Sequence, residues 1–163
     1  MSYILSIDPG NELSAYCLLD KNLKPIKFGK VDNEDLLLII HELIKAYDID
    51  YYAIEMVASY GMPVGREVFE TCVWIGRFYQ QINEYSFKYP TFIYRKDEKL
   101  CLCGNTKARD SNIRKALIDR FAKFDLKNGK GTKNDPDWFY GFRADIWQAY
   151  AVAVTFRDME LRE

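Results

Sequence analysis

Three carboxylates stand where a charge needs a reason. Asp8 ends the apolar run from Tyr3 to Ile7, immediately before Pro9-Gly10. Glu55 lies near the end of "DYYAIEMV" (50–57), and Asp145 comes early in "GFRADIWQAYAVAV", followed by Ile146, Trp147, Ala149, Tyr150 and further apolar residues. A carboxylate among such neighbours is costly unless it is paired, neutralised or held to a cation. If the strands that end in Asp8 and Glu55 are neighbours, the two acids share one sheet edge, and a last helix packed across that edge brings Asp145 to them. Three converging acids repel unless a cation offsets their charge, and hard oxygen ligands select Mg²⁺ or Mn²⁺. For Asp145 the alternative is a buried ion pair with Arg143 or Arg66.

The elements that must position these acids read as follows. Residues 2–8, 14–20 and 25–31 form three consecutive short strands. Residues 33–48 form a helix, with Asn33 as N-cap and acids in the first turn. A fourth strand covers 50–57, a long amphipathic helix 65–87 and a fifth strand 90–96. A short turn or helix near 97–102 precedes a helix over 110–124, the loop "KNGKGTKNDPD" and a final helix over 138–158. Asp135 and Asp137 in that loop read as turn and cap residues. The order βββαβαβα predicts an α/β fold: a mixed five-stranded sheet with helices on both faces.

With 163 residues, 48% of them hydrophobic, the chain is expected to form one domain with a single core. No apolar run approaches the roughly 20 residues that span a bilayer. "MSYILSIDPG" lacks a basic stretch and a small-residue cleavage site, so a cytoplasmic setting and no membrane partner are expected. The Cys101-Leu-Cys103 pair is spaced too closely for a standard zinc knuckle. The single histidine, His41, lies inside an apolar helix far from the acids in sequence, which argues against a general-base role. A net charge of −1 hides an asymmetry: residues 95–133 hold twelve Lys or Arg against five Asp or Glu. Such a block suits a polyanion, although on charge alone a solvated helix face with Lys-rich loops is the commoner explanation.

The segments "SIDPGNELSAYCLLD", "YAIEMV" with "GREVFETCVWIGRF" behind it, "YPTFIYRKDEKLCLCGNTKARDSNIRKAL" and "RADIWQAYAVAVTF" carry a resemblance. In this order and spacing the chain resembles RuvC-type Holliday junction resolvases over nearly its whole length, as a divergent, phage-borne or otherwise distant member. The resemblance implies a ribonuclease H-like fold over residues 1–163, a homodimer and about two Mg²⁺ per active site, for which Mn²⁺ can substitute. It implies metal-dependent nicking of four-way DNA junctions in recombination, repair or phage DNA processing, in the cytoplasm of a bacterium or infected host. A nuclease for forks and flaps, or a junction-binding protein without catalysis, is the alternative.

Carried over by position, Asp8, Glu55 and Asp145 match the family's acids. Where a further Asp is usual, this chain has Gln148, whose neutral oxygen can hold a bound water or Asp145 but supplies no charge. A family lysine position falls at Asp110, with Lys107 and Arg109 beside it. Lys107, Arg109, Arg114 and Lys115 are therefore the expected phosphate contacts, with a solvated helix start as the alternative. Tyr60 or Met62, in the loop "VASYGMPVG", is placed to wedge into a junction, or else packs on the surface. The aromatic face of the 65–87 helix (Phe69, Trp74, Phe78, Tyr79) is the candidate dimer surface, with core packing as the alternative.

Overall fold

The structure, a computed structural model, describes residues 2–124 and 128–161. Its centre is β1 (Tyr3–Asp8), in which Ile4, Leu5, Ser6 and Ile7 are all buried. A strand buried on both sides needs cover on both faces, and a continuous apolar run supplies it. β1 pairs antiparallel with β2 (Leu13–Leu19), and β2 antiparallel with β3 (Pro25–Asp32). On its other side β1 runs parallel to β4 (Ile49–Met56), which runs parallel to β5 (Thr91–Tyr94). The sheet order is β3-β2-β1-β4-β5.

One face packs on α1 (Asn33–Ala46) and α2 (Arg66–Ser86), where Leu36, Ile40, Ile75 and Phe78 close on Leu5, Ile7 and Ile54. The other face packs on α5 (Ile146–Glu160), supported by α4 (Asp110–Phe121). Every residue of α5 from Ile146 to Phe156 is buried apart from the half-buried Gln148. An all-round apolar helix belongs inside a domain. Gln148 and the buried Thr155 are its polar interruptions, and of the two Gln148 carries the larger polar group in need of partners.

The layered sheet with helices on both faces matches expectation, and the sequence reading differs in four details. The segment after β5, left open as a short turn or helix near 97–102, is a full helix, α3 (Arg95–Cys103). The last helix begins at Ile146 and not near 138, because Gly141 (φ 87°) and Ala144 (φ 46°) adopt left-handed backbone that stops a helix. The turns before it seat Phe139 and Phe142 edge-on against Tyr150, with ring centroids 5.2 and 5.6 Å away. Asp145 is consequently the N-cap of α5 and exposed, rather than embedded in it. Asn33 is the first residue of α1, not its cap; the cap is Asp32. On α2, Phe78 is fully buried and Trp74 and Tyr79 pack against the same core, so of the four proposed dimer residues only Phe69 stands exposed.

Two buried polar contacts fix the turn after Asp8 and the position of α5. Ser14 Oγ accepts from Gly10 N–H (2.9 Å) and donates to Asn33 Oδ1 (2.5 Å), while Asn33 Nδ2 donates to Gly10 C=O (2.9 Å). Gly10 is required sterically, since a Cβ there would sit 2.3 Å from the Leu13 carbonyl oxygen. Ser6 Oγ, fully buried in β1, donates to Ala149 C=O of α5 at 2.7 Å. Ala149 adjoins Gln148, so this bond registers Gln148 against the strand that ends in Asp8. Asn33→Ala removes both partners of the Ser14–Gly10 turn at once and is expected to destabilise the protein by about 1–3 kcal/mol in urea unfolding, the cost of stranding buried polar groups.

Candidate active site

The parallel register pairs Ile7 of β1 with Ile54 of β4. The next residues, Asp8 and Glu55, therefore emerge side by side at the carboxyl ends of adjacent strands. A third acid joins them that the sequence reading counted merely as one charge of a basic segment. Glu98, in the first turn of α3, is fully buried. Gln148 Nε2 donates to Glu55 Oε1 at 3.3 Å and to Glu98 Oε1, so one amide bridges two carboxyl groups. Arg95, which follows β5 directly, pairs with Glu55 (3.6 Å) and with Asp110.

Asp145 faces a different partner. Lys30 Nζ of β3 donates to Asp145 Oδ2 at 2.6 Å, and the Asp145 side chain is 52% exposed. The alternative raised for Asp145, a buried pair with Arg143 or Arg66, gives way to this exposed pair with Lys30; Arg66 pairs with Glu70 on α2. Asp145 is still close enough for its charge to act on Asp8.

The packing of these acids sets their protonation. Burial, then the charge of Glu55 and a hydrogen bond with it, then Asp145, hold the Asp8 carboxyl well above the usual carboxylate range, against the opposing pull of Arg95. Burial first, then Glu55, pushes Glu98 up to about 11. Glu98 Oε2 is buried with no hydrogen-bond partner. Among the described residues no three His, Cys, Asp or Glu side chains already surround a common point as metal ligands. Gln148 and Arg95 hold the acids together instead, and burial with mutual repulsion favours the protonated forms of Asp8 and Glu98. In kind, however, the donor set fits a hard divalent cation: oxygen ligands only, mutual repulsion to be offset, and one buried oxygen with nothing bound to it.

The remaining expected site residues fall around this cluster. Tyr60, exposed and with φ 49°, lines a cleft of about 370 Å³ with Glu55, Val68 and Arg95, and an adjoining one of about 340 Å³ with Lys96, Lys99 and Thr106. Arg114 stacks its guanidinium 5.2 Å from the Trp147 ring and lines a small cavity with Asp145 and Gln148. Lys115 pairs with Asp119 on its own helix at 2.6 Å. Lys107 and Arg109 are exposed on the approach to α4, where Arg109 is the N-cap and its N–H donates to Asn112 Oδ1 at 2.9 Å. The cations in contact with the acids, Arg95 and Lys30, were not singled out from the sequence. Asp137, read as a turn residue, accepts N–H bonds from Lys123, Phe124 and Trp138 at 2.7–3.0 Å and ties that loop.

No protein-family model and no curated protein matches this chain. Among solved structures it is similar to Thermus thermophilus RuvC in complex with a Holliday junction substrate: TM-score 0.71, 14% identity, covering 96% of this chain and 93% of that one. A second T. thermophilus RuvC structure matches with TM-score 0.63 and 13% identity, covering 94% and 92%. The fold is that of RuvC. It is the ribonuclease H-like arrangement, and in this RuvC-like sheet the β1–β4 pair is what sets Asp8 beside Glu55.

A pH dependence follows from Glu98. Its folded-state value of about 11 lies above the ordinary 4.5, so its contribution to stability is intact below about pH 4.5 and declines as pH rises toward 11. Asp8 acts in the same direction. In chelator, the denaturation midpoint is expected to fall between pH 5 and 8, with a limiting slope of ~1.4 kcal/mol per pH unit for one group. Glu98→Gln should flatten that slope measurably in urea titrations across the same range.

Proposed function

We propose that the protein is a divalent-metal-dependent endonuclease that nicks four-way DNA junctions. The observation that carries this reading is the meeting of Asp8 and Glu55 at the ends of adjacent parallel strands, with their repulsion unrelieved by any lysine or arginine inside the cluster other than Arg95 among the described residues. That arrangement occurs in a fold shared with a protein whose structure holds a Holliday junction.

In this reading Asp8 and Glu55 hold Mg²⁺, or Mn²⁺ in its place, with two ions per site. Asp145 joins them when a phosphate draws Lys30 away from it. When bound, such a cation polarises the scissile phosphate and lowers the pKa of the attacking water. The water oxygen bonds to phosphorus as the P–O3′ bond breaks; one proton goes to the leaving oxygen, and 5′-phosphate and 3′-hydroxyl ends result. Arg95 and Arg114 neutralise the phosphate near the acids, and Lys107, Arg109 and Lys115 hold the flanking backbone. Tyr60, exposed at the mouth of the cleft, stacks on an unpaired base at the branch. A homodimer would present two equivalent sites to two equivalent strands, through the exposed side of α2 at Phe69 and Val73.

The test is cleavage of labelled four-way junction, Y-fork and linear duplex in Mg²⁺ or EDTA. Symmetric junction nicks that need Mg²⁺ are expected, and Asp8→Asn or Glu55→Gln should slow them at least ~100-fold, about 2.7 kcal/mol, with junction binding retained in a gel-shift assay. Equal cutting of forks would favour a general debranching nuclease. Binding without cutting in either Mg²⁺ or Mn²⁺ would overturn the enzymatic reading. Tyr60→Ala is expected to leave duplex affinity unchanged and to weaken junction binding by about 1–3 kcal/mol, the worth of one base–aromatic stack.

A further inference from the structure

We propose that Glu98 is itself a ligand of the divalent cation at this site, supplying from α3 the carboxylate for which α5 offers only the amide of Gln148. This rests on the reading of the cluster as a cation site and adds a ligand to it.

Four observations carry the assignment. Glu98 is fully buried, which an acid at the start of a surface helix has no structural need to be. Its side chain lies on the face that Leu102 shares at i+4, and Leu102 packs against the core. Its Oε1 is fixed by Gln148, and the same amide reaches Glu55, so Glu98 and Glu55 are brought to one place by a single donor. Its Oε2 is buried without a partner. Stranding a buried polar oxygen costs roughly 1–3 kcal/mol, and a leucine would pack α3 without that cost. No lysine or arginine is paired with it among the ion pairs described: Arg95 of the same helix is engaged by Glu55 and Asp110.

The amide at position 148 fits the same account. A carboxylate there would face both Glu55 and Glu98 and add a further like charge. An amide donates to both instead. Glu98 and Gln148 thus form a complementary pair in which the charge has one seat, on α3, and the donor has the other, on α5.

The test is Mn²⁺ binding to the DNA-free protein, followed by the EPR signal of free Mn²⁺. Glu98→Gln keeps the shape and can still meet Gln148, so a packing role would survive it. Glu98→Gln is expected to weaken Mn²⁺ affinity at least tenfold while raising the melting temperature in EDTA, because a buried acid is removed. The exchange variant Glu98→Gln/Gln148→Glu, which moves the carboxylate to α5, is expected to recover affinity to within about threefold of the unaltered protein. Unchanged affinity in Glu98→Gln, together with loss in Asp8→Asn, would overturn the role of Glu98 and leave the cation site standing. Loss in Glu98→Gln without recovery in the exchange variant would also overturn it, by assigning the effect to local packing rather than to the charge. An unaltered protein that binds no Mn²⁺ would overturn both this inference and the reading beneath it.

Discussion

Like charges forced together by backbone register are the constraint on which the rest of this molecule depends. Once β1 and β4 run parallel with Ile7 opposite Ile54, Asp8 and Glu55 have nowhere else to go. Hydrophobic burial on both faces of β1 supplies the driving force for that register, since a slip of one residue would turn Leu5 and Ile7 to the wrong side of the sheet. The acids are thus set by the same packing that makes the fold. Their repulsion is a cost folded into the structure, partly offset by Gln148 and Arg95, and it favours the protonated form of Asp8.

The surrounding devices serve that one edge. The Gly10–Ser14–Asn33 turn carries the chain sharply away from Asp8 and leaves its carboxyl at the sheet end. The Ser6 hydroxyl bonded to Ala149 locks α5 against β1 within one residue of Gln148. The left-handed Ala144 stops the chain from entering α5 early, which keeps Asp145 at the exposed helix start, within reach of both Lys30 and Asp8. A non-glycine residue in that conformation costs on the order of 1–3 kcal/mol, and the rings of Phe139 and Phe142 before it pack on Trp147 after it.

Much of this was legible in the residues. The strands and long helices follow from apolar periodicity, and strand-end acids in a run of apolar residues are conspicuous in Asp8 and Glu55. What was not legible depends on contacts between distant segments. Glu98 lies in "RKDEKL", where four of its five neighbours are charged, so composition points to solvent; the apolar Leu102 at i+4 was the available signal for its inward face. Arg95 and Lys30 lie in basic stretches with nothing local to mark which cation turns inward. The late start of α5 depends on left-handed backbone at Ala144, which residue type does not announce. Phe78 and Phe69 lie on one amphipathic helix, and only the packing against β4 separates the buried ring from the exposed one.

The central claim is that these carboxylates form a hard-cation site. Its most direct test is an anomalous difference map from crystals of the protein grown with Mn²⁺. The account predicts a strong peak within roughly 2.5 Å of oxygens from both Asp8 and Glu55. A map with no peak at these acids, from a protein crystallised in millimolar Mn²⁺ with the side chains well ordered, would contradict it.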